Sequence, residues 1–208
     1  MDRLLTELIK HRFERIAPLY DLVVEGLFGH TLRKWRKRLW DGTSGKILEV
    51  GVGTGSNMEF YPAGADITAI DFSPVMLRRA RKRAKKLGIN VKIMEMDVQR
   101  LQFEDDTFDT VVSTFVFCTV PEPILGLKEL RRVTKPGGKI LFIEHVRSER
   151  PLAGRLMDLL NPLPRFLIGD NINRKTVENI LRAGMKIEYS ENLASDIIKM
   201  IIASPNKE

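Results

Sequence analysis

The stretch ILEVGVGTGS, residues 47–56, is the most informative part of the sequence, because an apolar run passes directly into three glycines at alternate positions. An apolar run of this length that ends at a turn signal predicts a buried β-strand followed by the start of a helix. Glycine adopts positive φ and lets a ligand approach the backbone without a Cβ in the way. The N-terminus of the next helix offers free N–H groups to an anion. The loop therefore predicts a dinucleotide site, a mononucleotide site or a tight turn without a ligand.

Beyond residue 46 the sequence alternates short apolar runs with helical patterns, which is typical of βαβ units around a parallel sheet. We therefore expect an α/β fold. The predicted strands are Lys46–Val50, Asp66–Ile70, Val91–Met96, Phe108–Ser113, Lys139–Val146, Lys186–Ser190 and Ile197–Ala203. The predicted helices lie near Ser56–Phe60, Pro74–Leu87, Pro123–Val133 and Arg174–Ala183.

The chain is expected to form one domain with four parts. Residues 1–40 carry apolar side chains at three- and four-residue spacing, which predicts a helical cap. Residues 46–146 form the core of strands and helices, and residues 174–208 continue it with a helix and strands. Residues 147–173 include a Pro- and Leu-rich stretch that interrupts the alternation. An insertion after the fifth strand lies at the carboxyl edge of a parallel sheet, where we expect substrate specificity.

Composition excludes several classes of protein. The 208 residues suit one domain, and 43% hydrophobic with 29% charged residues excludes a disordered chain. A single cysteine excludes a disulfide framework, and no His, Asp or Glu group has metal-ligand spacing, so we expect no metal. No apolar run reaches transmembrane length, and the charged N-terminus is unlike a signal peptide. We expect a cytoplasmic protein whose net charge of +7 permits an anionic partner.

Acidic residues follow the second and third predicted strands. Asp71 stands twenty residues after Gly51, the spacing at which a carboxylate accepts hydrogen bonds from both hydroxyls of a ribose. The alternative is that Asp71 caps the next helix. Ser73 is itself a good N-cap, with Pro74 at the first helical position, so capping does not require Asp71. Asp97 follows the third strand in the same way.

Four segments carry a family resemblance: LEVGVGTG (48–55), AIDFSP (69–74), MEMDVQRLQFEDDTFDTVVSTFVF (94–117) and ELRRVTKPGGKILFIEHV (129–146). Together they resemble class I S-adenosylmethionine-dependent methyltransferases. The resemblance implies a Rossmann-like, doubly wound sheet of seven strands with an N-terminal helical cap, in which the last strand runs antiparallel. It also implies S-adenosyl-L-methionine as the cofactor. This cofactor has no phosphate, so the glycine loop would hold a zwitterion.

The resemblance implies a role for each site residue. The methionine part of the cofactor would lie against the glycine loop, and the ribose and the adenine would be held by residues after the second and third strands. The implied cofactor-binding residues are Glu49, Gly51, Gly53 and Gly55 for the methionine part, Asp71 for the ribose, Phe72, Asp97 and Val98 for the adenine, and Thr114 and Phe115 for the floor near the methyl group.

Closer likenesses concern the acceptor. Residues 48–123 resemble soluble bacterial phosphatidylethanolamine N-methyltransferases and membrane-associated thiol S-methyltransferases, and the second likeness extends to residues 143–146 and 169–176. The segment APLYD (17–21) resembles ubiquinone/menaquinone C-methyltransferases, in which its tyrosine closes over the cofactor, so Tyr20 is a candidate lid residue. We expect a small lipophilic or membrane-associated acceptor. A phosphatidylethanolamine amine is favoured, with a thiol or a quinone carbon as alternatives.

Other interpretations have less support. A short-chain dehydrogenase would carry a Tyr-x-x-x-Lys pair, which the sequence lacks. Residues 114–117 also lack the Pro-Pro pair of adenine and glutamine N-methyltransferases. Seven basic residues among residues 78–86 indicate either a nucleic-acid surface, as in a nucleic-acid-directed methyltransferase, or a solvated helix face, and no interleaved aromatic supports the first. A cofactor-binding protein without turnover is a further alternative. Cys118 is expected to be a buried thiol.

His145 and the cationic front complete the candidates. His145 ends the fifth predicted strand and titrates near neutral pH, so it suits a general base; the alternative is a structural histidine paired with Glu144 or the backbone. A group of cations and tryptophans, which we call the cationic front, lies just before the glycine loop in the sequence. Its residues are Arg33, Lys34, Trp35, Arg36, Lys37, Arg38 and Trp40. Cations combined with tryptophans are typical of contact with an anionic bilayer. The alternative is a cap whose tryptophans pack inward.

Overall fold

The structure is a computed structural model that describes residues 29–207, and of Ile168 it describes the backbone alone. The first part of the predicted cap, residues 1–28, and with it the candidate lid residue Tyr20, lies outside the described residues. Neither the lid role nor the apolar stripe of that segment is therefore tested.

Seven strands form one sheet in the order β3-β2-β1-β4-β5-β7-β6. β1 to β5 are mutually parallel, and β7 runs antiparallel to both β5 and β6. The predicted seven-stranded sheet with an antiparallel last strand is confirmed. Strand order reverses between β1 and β4, and ligands bind in the crevice at such a point. The strands are β1 (Ile47–Val50), β2 (Ile67–Asp71), β3 (Lys92–Glu95), β4 (Phe108–Thr114), β5 (Thr134–His145), β6 (Lys186–Ala194) and β7 (Ile198–Ser204).

Helices cover both faces of the sheet. They are α1 (residues 29–40), α2 (Pro74–Leu87), α3 (Pro123–Val133), α4 (Pro151–Leu160), α5 (Pro162–Ile168) and α6 (Thr176–Arg182), with a 3-10 turn at Met58–Phe60. α2 begins as the sequence predicts: Pro74 occupies the first helical position, and the Ser73 hydroxyl accepts from the Met76 N–H. It ends at Gly88, which adopts the left-handed conformation.

Two predicted elements differ from the structure. The helix expected at Ser56–Phe60 is only the short 3-10 turn. The Pro- and Leu-rich insertion, which we did not predict to be helical, contains α4 and α5. Pro151 and Pro162 stand at the first positions of these helices, where a missing N–H costs nothing. The prolines that interrupt the sequence pattern therefore start helices.

The core lies on both sides of the sheet. Phe108, Phe117 and Phe142 are fully buried on the face covered by α3 and α6. Trp40 of α1 is 1% exposed and packs on the opposite face, where its ring centroid lies 4.5 Å from that of Tyr61. The inward-packed cap, which was the alternative for the front, is therefore confirmed for Trp40. Cys118 is buried, as predicted.

The cationic front is not a continuous charged surface. Arg36 is 6% exposed, so the prediction that it faces a bilayer is wrong: it lies on the side of α1 that packs against the protein. Three other cations of the front are exposed and ion-paired. Arg33 pairs with Glu59, Lys37 with Asp41 and Arg38 with Glu191.

The basic run on α2 lies mainly on a solvated face. Ala80 and Ala84 pack inward, while most of the Lys and Arg side chains between residues 78 and 86 are exposed. Within residues 29–207 no helix has the length and apolar character needed to cross a bilayer.

Candidate functional site

A cleft opens at the carboxyl ends of β1, β2 and β4, where the strand order reverses. Its lining includes eight of the predicted cofactor-binding residues: Gly51, Gly53, Asp71, Phe72, Asp97, Val98, Thr114 and Phe115. The other lining residues are Ile70, Ser73, Met76, Met96, Gln99, Val116, Thr119, Val120 and Pro121. The structure thus brings together residues from four separate segments that were predicted to share one site.

The glycine loop approaches the segment after β4 too closely to admit a side chain. Gly51 has φ +66°, and a Cβ there would lie 2.3 Å from Cγ2 of Val116. Gly53 also has positive φ. The loop therefore requires glycine at residue 51 both for its backbone conformation and for space.

Asp71 joins the glycine loop to the start of α2. Its Oδ2 accepts from the Gly53 N–H at 2.9 Å, and its Oδ1 accepts from the Ser73 N–H at 2.9 Å. Burial raises the pKa of Asp71 to about 6, against the lowering effect of these backbone donors. Each carboxylate oxygen has a second acceptor position, so the group retains capacity for ligand hydroxyls.

Asp97 lies half-buried at the other side of the cleft and is held by Gln99. The Gln99 backbone N–H and its Nε2 both donate to Asp97 Oδ1, at 2.9 and 3.0 Å. Gln99 Oε1 accepts from the Glu122 N–H at 2.9 Å, which ties Asp97 to the start of α3. Our sequence analysis missed Gln99, although it is one of only two glutamines in the chain and stands two residues after Asp97.

The floor of the cleft carries a strained residue. Phe115 has φ +56°, a conformation that costs a side-chain-bearing residue of the order of 1–3 kcal/mol. Its N–H donates to the Ile143 carbonyl at 2.8 Å. Strain of this kind persists only where the surroundings hold it in place.

The side chain of Glu144 holds the segment that follows Phe115. Its carboxylate accepts from the Val116 N–H at 3.1 Å, the Phe117 N–H at 3.2 Å and the Ser113 hydroxyl at 2.9 Å. Burial raises the pKa of Glu144 to about 7. From the sequence we considered Glu144 only as a partner for His145. The signal that could have indicated its role in holding the segment after β4 is its position as an acidic residue within the apolar strand KILFIEHV, residues 139–146.

The structure places Glu49 behind the loop, outside the cleft lining. It is 1% exposed and accepts from the Asn57 amide at 2.6 Å and from the Tyr61 hydroxyl. Burial raises the pKa of Glu49 to about 7, while the charge of Arg36 lowers it. Asn57 also donates to the Thr114 hydroxyl at 3.0 Å. Asn57 therefore connects Glu49 to Thr114, which lines the cleft.

Two other predicted site residues also lie outside the lining. Gly55 packs against Met58, whose Sδ would lie 2.8 Å from a Cβ at this position. His145 is half-buried, and its Nδ1 is buried without a hydrogen-bond partner among the described residues. Burial lowers the pKa of His145, and the negative charge of Asp170 opposes this shift. The predicted pairing of His145 with Glu144 is not among the contacts of that carboxylate.

The charge of the cleft distinguishes between its candidate ligands. The described residues that line it include two aspartates and no Lys or Arg. The two carboxylates suit the positive sulfonium of S-adenosylmethionine, whereas a dinucleotide pyrophosphate would add negative charge beside them and would depend on backbone N–H groups alone. Asp71 suits the ribose hydroxyls and Asp97 suits an amino group. The residues present therefore fit S-adenosylmethionine.

This fold and this cleft define a class I S-adenosylmethionine-dependent methyltransferase, and comparisons with known proteins agree. Residues 48–142 match the family model described as a methyltransferase domain. The chain is 33% identical over 170 residues to a ubiquinone/menaquinone biosynthesis C-methyltransferase of Bdellovibrio bacteriovorus, covering 77% of this chain and 72% of that protein. The chain belongs to the class I S-adenosylmethionine-dependent methyltransferases.

Two further relatives have names that state different acceptors. A phosphatidylethanolamine N-methyltransferase of Cereibacter sphaeroides is 42% identical over 112 residues, 52% of this chain and 55% of that protein. A thiol S-methyltransferase of Mus musculus is 35% identical over 149 residues, 68% of this chain and 61% of that protein. The chain thus spans little more than half the length of some of the curated relatives it matches.

A solved structure agrees on the fold. A SAM-dependent methyltransferase of Thermotoga maritima has a TM-score of 0.69 at 20% identity, covering 96% of this chain and 100% of that one.

Proposed function

We propose that the chain transfers a methyl group from S-adenosylmethionine to a lipophilic, membrane-resident acceptor, with the amine of phosphatidylethanolamine as the first choice. The observation that carries the transfer is the cleft at the switch point of the sheet, which the described residues line with two aspartates and no Lys or Arg. The 42% identity to a phosphatidylethanolamine N-methyltransferase supports the choice of acceptor. A thiol and a quinone carbon are the alternatives, since relatives with those acceptors match as well.

The cleft offers an apolar side to the acceptor. Phe115, Val116, Val120 and Pro121, all from the segment after β4, give the cleft an apolar part of its lining. A dry wall of this kind excludes water, which otherwise solvates the nucleophile and slows its attack. An apolar wall suits an acceptor with acyl or prenyl chains better than a polar metabolite.

The bound cofactor would supply an electrophilic methyl group on a sulfonium. The chain's own residues would position the reactants: Asp71 and Asp97 orient the cofactor, and the segment held by Glu144 forms the floor against which the nucleophile approaches. Holding two reactants at attack distance accounts for much of the rate in such transfers. An amine must lose its proton before attack. We propose His145 as the base: it lies outside the cleft lining, at the end of β5, and its lowered pKa favours the neutral imidazole.

The direct test is product analysis with methyl-labelled S-adenosylmethionine. Vesicles containing phosphatidylethanolamine, a demethylated quinone, a small alkyl thiol and RNA are incubated in parallel with the protein. We expect label in the phosphatidylethanolamine fraction, strong loss of it with Asp71→Asn, and full activity with Asp66→Asn, which changes an exposed aspartate. Label in the thiol, quinone or RNA fraction would contradict the acceptor, and no labelled product in any fraction would contradict the activity.

The same assay across pH tests His145. His145→Asn should lower kcat and remove one ionisation from the acidic limb of the pH profile, because the base is gone. An unchanged profile would exclude this role.

A further inference from the structure

The two helices of the insertion expose a large apolar surface, which we call the α4–α5 face. Leu152 is 82% exposed, Leu159 74% and Phe166 71%. Four further leucines on these helices, Leu156, Leu160, Leu163 and Leu167, are half exposed or more. Single exposed leucines are ordinary on a protein surface, but seven large apolar side chains exposed on two consecutive helices indicate an interaction site.

The orientation of α4 shows that this exposure is built into the fold. Gly154, on the other side of the helix, is buried, and a Cβ there would lie 2.5 Å from Nη1 of Arg147. Met157 Sδ accepts from the Ser148 N–H at 3.3 Å. The residues that dock α4 on the protein are therefore Gly154 and Met157. Leu152, Leu156 and Leu159, spaced by four and three residues, share the outward side.

The α4–α5 face is tied to the rim of the cleft. After α5 the chain turns at Gly169, and the Asn171 N–H donates to the Cys118 carbonyl at 2.9 Å. Arg174 donates to the Val120 carbonyl at 2.9 Å, and Val120 lines the cleft. The segment that follows the α4–α5 face is thus hydrogen-bonded to the rim of the cleft at Val120.

The exposed charges on and next to the two helices are mainly positive. Arg150, Arg155 and Arg165 are exposed, and the flanking acids are Glu149, which pairs with Lys199 at 3.2 Å, and the partly buried Asp170. The only acid on the two helices, Asp158, is bound by Arg147 at 2.7 Å, so its charge is matched within the protein. Apolar side chains bordered by cations match the headgroup boundary of an anionic bilayer.

We propose that the α4–α5 face docks on an anionic membrane, with its leucines and Phe166 entering the headgroup boundary. The surface is distinct from the cationic front at residues 33–38, where Arg36 is buried and three cations are ion-paired. A second copy is a poorer occupant, because a two-fold contact through this face would bring Arg155 and Arg165 of both copies together. The proposal does not depend on which acceptor is methylated.

The experiment is sedimentation of the full chain with vesicles that lack phosphatidylethanolamine, so that docking is measured apart from turnover. One set contains phosphatidylglycerol in phosphatidylcholine, and the other phosphatidylcholine alone. We expect stronger binding to the anionic set, and at least a tenfold loss for Leu159→Ser combined with Phe166→Ser. The matched control is Leu87→Ser combined with Leu181→Ser, which removes two exposed leucines elsewhere and should bind within twofold of wild type. Calorimetric binding of S-adenosylmethionine checks that each variant is folded.

A second measurement locates the contact. The Phe166→Trp variant should show fluorescence quenching by vesicles with brominated acyl chains, and Leu87→Trp should show no more than the wild type. Equal binding by the Ser variants and the wild type, or no additional quenching in Phe166→Trp, would overturn the proposal. The proposal would also be overturned if the wild-type protein did not bind vesicles and formed a dimer that the Ser variants convert to a monomer. That result would assign the α4–α5 face to self-association.

Discussion

Glu144 shows how one buried side chain couples the cleft floor to pH. Its folded-state pKa of about 7 lies above the ordinary value of 4.5. Between these two pH values the carboxyl is therefore protonated in the folded protein and ionised in the unfolded chain. The free energy of unfolding should therefore be highest below pH 4.5, as far as this group is concerned, and fall as pH rises through 7. For a shift of this size the loss is about 3 kcal/mol. Glu49 adds a fall over the same window.

The first prediction follows from this fall in unfolding free energy with rising pH. Glu144→Gln cannot ionise, so urea unfolding should show the variant gaining about 2–3 kcal/mol relative to wild type between pH 5 and pH 8. Glu104→Gln, at an exposed position, is the control and should keep the wild-type pH dependence. A difference between Glu144→Gln and wild type that stays constant over this range would mean that Glu144 is charged throughout.

At the residue scale, the sequence predicted the residues of the cleft better than those that support it. Asp71 and Asp97 follow strands at positions where any parallel sheet of this kind directs side chains to a ligand, so spacing was enough. Glu144 contacts partners 27 to 31 residues distant in sequence, and Gln99, besides its local bonds to Asp97, contacts Glu122 23 residues away. Such contacts depend on the register of neighbouring strands, which no local pattern contains.

The glycine loop is the element on which the site depends most. Gly51→Ala places a methyl group 2.3 Å from Val116 Cγ2, in a residue that must also hold φ at +66°. We expect a loss of about 2–4 kcal/mol in unfolding free energy, from backbone strain and overpacking together. S-adenosylmethionine binding should weaken as the loop moves.

The chain offers a matched control for this second prediction. Gly64 has φ +73°, but a Cβ there would meet nothing within 4 Å. Gly64→Ala should therefore cost only the backbone strain of about 1–2 kcal/mol, with binding unchanged. If the two variants lose equal stability and bind equally well, the close approach of Gly51 to Val116 has no functional role.

Elements with a clear start signal and a regular period were predicted to within a residue or two. α2, with Ser73, Pro74 and Gly88 at its ends, is the clearest case. α4 and α5 were missed because their prolines were interpreted as interruptions, although Leu152, Leu156 and Leu159 recur at helical spacing. Tertiary packing decided that these leucines face outward, which the sequence pattern does not show.

At the scale of the whole molecule, the alternation of strands and helices predicted the sheet, but the net charge of +7 did not locate a binding surface. The cations are spread over α2, α1 and the insertion, and several are ion-paired. The cleft itself runs against the overall charge, since two aspartates and no cation of the described residues line it. The local charge therefore indicates the ligand, and the total charge does not.

Calorimetric titration with S-adenosylmethionine and with NAD, on wild type and Asp71→Ala, tests the central claim most directly. We predict one S-adenosylmethionine bound per chain and no measurable binding of NAD. Asp71→Ala should lose about 1.5–3 kcal/mol of cofactor affinity, because a charged acceptor for two hydroxyls is removed. Asp66→Ala, at an exposed position outside the cleft, should bind as wild type. NAD binding of comparable strength, or S-adenosylmethionine binding that Asp71→Ala leaves unchanged, would contradict the assignment of this cleft.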